Sequence, residues 1–186
     1  MGWTLLSVVV LVAIAVAAVV VVALYNRLVT LRNRCDNAWA QIDVQLRRRY
    51  DLIPNLVATV KGYAAHERET LESVVKARET AMGASDLQER SAAENSLSAS
   101  LKSLFALAEA YPDLKANTSF LDLQNQLADT EGKIAYARQF FNDSVMSYNM
   151  QVQQFPANLV AATFGFKERV YFEIEASATE PVSVSF

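Results

Sequence analysis

An all-α fold is what this sequence predicts: an N-terminal transmembrane helix continuing into an antiparallel bundle of long helices, with a short extended C-terminal tail. Three observations predict it. Leu5 to Leu24 is an unbroken run of Leu, Val, Ile and Ala, interrupted only by Ser7. Beyond it, apolar residues recur at three- and four-residue steps, the period of a helix with one buried face. Five Gly and four Pro in 186 residues are too few for a loop-rich or β-rich architecture. The expected parts are a transmembrane helix over residues 1–25, a helical bundle over 26–165 and an extended tail over 166–186.

The apolar run is 20 residues long. At about 1.5 Å rise per residue it spans about 30 Å, the hydrocarbon thickness of a bilayer. Its many Val residues are no obstacle, because in lipid the backbone must satisfy its own hydrogen bonds and a helix does so. Trp3 and Tyr25 bracket the run where interfacial aromatics belong. A cleaved signal peptide would have a basic start and a shorter apolar stretch, and neither is present. A lipoprotein would carry its cysteine directly after the apolar core, whereas Cys35 sits in the polar string Arg32-Asn33-Arg34-Cys35-Asp36. The span is therefore expected to stay in the mature protein. No charged side chain precedes Arg27, while Arg27, Arg32 and Arg34 follow the run closely. The positive-inside rule then predicts the N-terminus outside and the C-terminal domain in the cytoplasm of a single-pass inner-membrane protein.

Past the membrane, Trp39, Ile42, Leu46, Tyr50, Ile53, Val57, Val60 and Ala64, then Leu71, Val74 and Val75, trace one helix face. The span is expected to enter this helix with no linker. Pro54 should kink or break it near Tyr50–Pro54, because it removes one hydrogen bond and crowds the Tyr50 carbonyl. Gly83-Ala84-Ser85 reads as a stop and a new cap. Leu87, Leu97, Leu101, Leu104 and Ala108 line the next helix, which ends at Tyr111-Pro112. A polar turn from Asp113 to Asn117 leads to Thr118 or Ser119 as the next cap. The last long helix carries Phe120, Leu123, Leu127, Ile134, Ala137, Phe141, Val145, Tyr148 and Val152 and closes at Pro156, with a short helical piece over Asn158–Thr163. In the tail, Val170, Phe172 and Ile174, then Val182, Val184 and Phe186, alternate with other residues at period two, which means extended chain. With no sheet elsewhere, this segment must pair with itself, lie along the bundle or join a neighbouring subunit, so these six residues are the candidate assembly tail.

Chemistry is mostly excluded by composition. One His and one Cys cannot build a zinc site of the usual nitrogen and sulfur ligands. His66-Glu67 lacks the second histidine of the metalloprotease motif, and no phosphate-binding glycine loop, dinucleotide fingerprint or nucleophile elbow occurs. The expectation is a non-enzyme with no cofactor, no metal and no catalytic residues. A formal charge of −3 also argues against nucleic acid as a partner. The lone cysteine rules out an internal disulfide, so the fold must stand on packing.

Two features rise above this background. Residues 26–49 hold six Arg against Asp36 and Asp43, a net of +4, leaving −7 for the rest of the chain. Anionic headgroups attract each juxtamembrane cation by about 1 kcal/mol within a Debye length. On an upright helix Arg47–Arg49 lie about 35 Å from Tyr25, too far for lipid. The predicted membrane-interface residues are therefore Trp3, Tyr25, Arg27, Arg32 and Arg34, and Arg47–Arg49 are expected to pair with acidic faces of other helices. The second feature is polar residues on or beside the apolar stripes: Asp43, Arg49, Asp51, Asn55, Glu67, Glu131, Arg138 and Asn142, with Arg78, Glu94 and Asn149. Buried charge is costly unless paired, so these are expected to form an inter-helix network that fixes register.

Several strings resemble one family. Tyr25-Asn26, Trp39-Ala40-Gln41-Ile42-Asp43-Val44-Gln45-Leu46, Arg48-Arg49, Asp51-Leu52-Ile53-Pro54-Asn55-Leu56-Val57, Tyr111-Pro112 with Leu114-Lys115-Ala116-Asn117, Phe155-Pro156 and the closing Pro-Val-x-Val-x-Phe look like the LemA family, in the family's order. One departure is Phe141-Asn142, where the family commonly has Tyr-Asn, so the hydroxyl's hydrogen bond is expected to be dispensable. The resemblance implies a bacterial membrane-anchored helical bundle and supplies no catalytic residues; relatives associated with magnetosome membranes imply a membrane-organising role. The functional expectation is a scaffold that self-associates at the lipid bilayer of the bacterial inner membrane, as a homo-oligomer. The alternative is an adaptor or sensor that binds another membrane protein, such as a protease or signalling kinase.

Overall fold

The computed structural model describes residues 2–172, and every element in it is helical. In chain order the elements are α1 (Gly2–Tyr63), α2 (Arg68–Gly83), α3 (Leu87–Ala108), α4 (Pro112–Lys115), α5 (Thr118–Gln153) and α6 (Ala157–Phe164). Two compact units divide the chain: residues 1–40 with 139–171, and residues 41–138 with Phe172.

The first unit contains the apolar run, on which every large hydrophobic side chain from Trp3 to Val22 is exposed. Its core begins after the run, at Leu28, Cys35 and Ala38 of α1, against Phe141, Val145 and Tyr148 of α5 and Val160 and Ala161 of α6. The run itself is long and apolar enough to cross a membrane. α6 ends at Gly165, whose φ of 73° is the left-handed conformation that glycine adopts without strain.

In the second unit Ile42, Leu46, Ile53, Leu56 and Val60 of α1 meet Leu71, Val74 and Ala81 of α2, Leu97, Leu101 and Leu104 of α3, and Leu127 and Ile134 of α5 in the core. Polar pairs show the sense of the helices. Asp43 binds Arg90 and Arg49 binds Ser98, so α3 ascends with α1. Tyr63 meets Asn117 and Arg49 meets Glu131, so α5 descends against it.

Four boundaries differ from the sequence expectation. Pro54 does not break α1, which is continuous to Tyr63. The break falls instead at Ala64–Glu67, where the Glu67 N–H turns back to the Ala64 carbonyl. A short turn leaves the apolar phase nearly intact on both sides, so periodicity does not register it; Val75 nevertheless ends up exposed. At the start of α3 the cap is Asp86, which accepts from the Glu89 N–H, while the Ser85 N–H and hydroxyl donate to the Glu89 carboxylate. The cap of α5 is Asn117, accepting from the Phe120 N–H, one residue before the expected Thr118 or Ser119. The turn before it is itself helical, as α4.

Residues 166–172 form neither helix nor strand. Val170 is exposed whereas Phe172 is 1% exposed, so the two do not share one environment, as residues two apart on one strand face would. Ile174, Val182, Val184 and Phe186 lie outside the described residues.

Candidate functional site

The second unit contains a buried ionic cluster built on Arg49. Its guanidinium is 2% exposed and donates Nη1 to Glu94 Oε2 at 3.1 Å and Nη2 to Ser98 Oγ at 2.9 Å. Glu131 Oε2 lies 3.3 Å from Nη1, with its side chain 48% exposed. The Tyr50 hydroxyl donates to the other oxygen of Glu94. Glu94 is fully buried, yet both its oxygens are partnered, so its charge is matched where an unpaired one would be prohibitive. Burial, then the Glu94 hydrogen bond, push the Tyr50 phenol well above the ordinary tyrosine range. The cation holds one oxygen of this carboxylate and the phenol the other, so both are engaged within the bundle. The cluster is a clamp joining α1, α3 and α5.

Around this clamp the predicted polar residues divide. Asp43 accepts from Arg47 at 2.7 Å on its own helix and from Arg90 at 3.0 Å on α3. Glu67, in the α1–α2 turn, accepts from the Tyr111 hydroxyl at 3.0 Å. Arg138 is half-buried with its guanidinium 4.5 Å from the Phe172 ring, a cation–π contact. Burial lowers the Arg138 pKa from its ordinary value. Asn142 is half-buried on α5. Asp51 and Asn55 sit on the exposed face of α1, away from the Arg49 cluster.

Arg78, expected in the inter-helix polar network, reaches a backbone carbonyl rather than a carboxylate. Its Nε donates at 2.8 Å to the carbonyl of Tyr50, four residues before Pro54. That carbonyl is the one Pro54 leaves without a helical donor. A side chain from α2 thus replaces the missing hydrogen bond, which explains why α1 passes through Pro54 unbroken.

The predicted membrane-interface residues lie in the first unit. Trp3 is exposed at the far end of the apolar run. At the near end Tyr25 packs edge-on against Phe164, at 5.0 Å, and Phe166, at 5.6 Å. Arg32 lies over the Phe166 ring at 5.4 Å and Arg34 over Phe140 at 5.3 Å, while Arg27 is exposed. Below them, Arg169 pairs with Asp36 at 2.7 Å. The Asn149 amide grips the Arg169 backbone both ways, accepting from its N–H and donating to its carbonyl at 2.9 Å each. Cys35 is buried in this region, and burial raises its thiol pKa.

The sequence does not single out Tyr50, Arg90, Ser98, Phe164, Phe166 or Arg169 as site residues. Tyr50 reads as a residue of the apolar stripe, and no motif or periodicity marks Arg90 or Arg169. Only their pairing partners distant in sequence reveal them.

The profile described as the LemA family matches residues 38–186. Magnetosome protein MamQ of Magnetospirillum gryphiswaldense is 24% identical over 184 residues, covering 85% of this chain and 68% of its own. Magnetosome protein MamQ 2 of Paramagnetospirillum magneticum shows the same 24% identity and the same coverage. Protein LemA of Metamycoplasma hominis is 27% identical over 164 residues, covering 86% of this chain and 72% of its own.

Proposed function

The chain belongs to the LemA family, and from that premise we propose that it is a membrane-anchored, non-enzymatic scaffold that self-associates and organises the bacterial inner membrane. The observation that carries this reading is α1: an apolar run with every large hydrophobic side chain exposed continues as one helix into a bundle core. Such a helix transmits position from bilayer to bundle without a flexible linker. Relatives named as magnetosome proteins support a task at a membrane. Arg27, Arg32 and Arg34 crowd the polar end of the run, which supports a cytoplasmic bundle under the positive-inside bias. The Arg49 cluster supports a structural role for the buried charges, since each carboxylate oxygen of Glu94 is already occupied.

Cross-linking of the full-length protein in its native membranes, followed by mass spectrometry, tests the reading. Links between copies of this chain should dominate. One dominant foreign partner would replace the scaffold with an adaptor of another membrane protein.

A further inference from the structure

The membrane end of the first unit carries a second apolar surface. Tyr25, the first residue after the apolar run, packs on Phe164 and Phe166, which brings the C-terminal end of α6 to the level where the run stops. The start of α6 lies near that level too. Trp39 meets Phe141 at 5.7 Å, and Tyr148 lies under Arg169, whose guanidinium binds Asp36. Along α5, rising residue numbers therefore climb α1 toward the run. At equal rise per residue, Gln153 at the end of α5 comes level with Arg27. Phe155 follows two residues later, and α6 after it.

This corner is exposed and uncharged. Phe155 is 78% exposed, Leu159 61% and Phe164 55%. Within α6, Leu159, Ala162 and Thr163 share the outward face while Ala157, Val160 and Ala161 are buried. No charged residue occurs between Asp143 and Lys167. Lys167 and Arg27 are exposed beside it, and Glu168 is the one acidic neighbour in sequence. Large apolar side chains clustered on a short helix are unfavourable in water but favoured at the boundary between headgroups and acyl chains, with cations at the phosphate level.

We propose that Phe155, Leu159 and Phe164 enter the headgroup–acyl boundary of the bilayer that holds the apolar run, making the α5–α6 corner a second membrane contact. This rests on the reading that the run spans a bilayer. Continuity with the end of the span selects lipid as the occupant. At eight residues, α6 is too short to cross and lies in the boundary instead. Two contacts on one unit hold it against the membrane surface, where a span alone would leave it free to tilt.

The test uses the full chain in phosphatidylethanolamine–phosphatidylglycerol vesicles. An environment-sensitive fluorophore is attached to Leu159→Cys, to Phe155→Cys and, as the reference for the span, to Val12→Cys. Cys35 is retained because it is fully buried. The probes at 155 and 159 should be quenched by shallow doxyl lipids and several-fold less by aqueous iodide than free fluorophore is. The probe at 12 should be quenched by deep doxyl lipids. Iodide access at both 155 and 159 with a lipid-embedded probe at 12 overturns the second contact and leaves the span standing. Shielding from both iodide and doxyl lipids would mean that protein covers the corner, and also overturns it. An aqueous probe at 12 removes the span itself, and the inference with it.

Discussion

At the scale of single residues, the Arg49 cluster shows how burial converts an ordinary ion pair into a structural dependency. Glu94 is fully buried and Arg49 nearly so, while Glu131, on the same guanidinium, is about half exposed. Arg49→Met strands the Glu94 charge and should destabilise the protein by about 3–5 kcal/mol; replacing both, as Arg49→Met with Glu94→Leu, should recover much of that loss. Glu131→Gln should cost less than about 1 kcal/mol, because water screens that carboxylate. Thermal unfolding in detergent distinguishes the three, and an equal loss for Arg49→Met and Glu131→Gln would reject the clamp. Tyr50 gives a pH signature. Its phenol holds its proton to higher pH in the folded state than in the unfolded chain. Between those two values the folded state binds more protons, so this contribution is intact below about pH 10 and is lost as pH rises above it. Stability should therefore fall more steeply above that pH in the native protein than in Tyr50→Phe.

At the scale of elements, the informative case is α1 at Pro54. Intrinsic propensity counts proline as costing about 3 kcal/mol inside a helix, and the sequence reading accordingly expected a kink or break. The helix persists because Arg78 reaches across from α2 to the Tyr50 carbonyl. The two positions should be coupled: Arg78→Met alone leaves that carbonyl without its donor, at a cost of about 1–3 kcal/mol. In a Pro54→Ala background the restored backbone N–H supplies the donor, and Arg78→Met should cost much less. Additive effects in this double-mutant cycle would show that Arg78 does not compensate for the proline. Asp86 and Asn117 make the related point at α3 and α5. Cap residues were legible as a class, yet Ser85 lost the capping position to its neighbour and Thr118 to Asn117, because several good caps stood side by side and backbone geometry chose between them.

At the scale of the whole molecule, the tail separates assembly from stability. Phe172 is buried against Arg138, so a truncation that removes it exposes core as well as shortening the tail. Ending the chain after Phe172 keeps that contact and removes only residues 173–186. If the tail joins subunits, this shorter protein should elute at a lower mass in detergent with an unchanged melting temperature. A lower melting temperature at constant mass would make the tail an intramolecular brace.

Much was readable from the sequence by itself: a helical chain, an apolar run long enough to cross a bilayer, and the stripes that became Ile42, Leu46, Leu101, Leu104 and Ile134 in the core. These depend on period and solvent preference, which are local properties of a segment. Which polar residues would be matched was decided only in three dimensions. Asp51 and Arg49 are two residues apart and equally charged in magnitude, yet one is exposed and the other holds Glu94, Ser98 and Glu131. The physical reason is that a buried charge is tolerable only beside its partner, and the partners of Arg49 come from helices about 45 residues and more away along the chain.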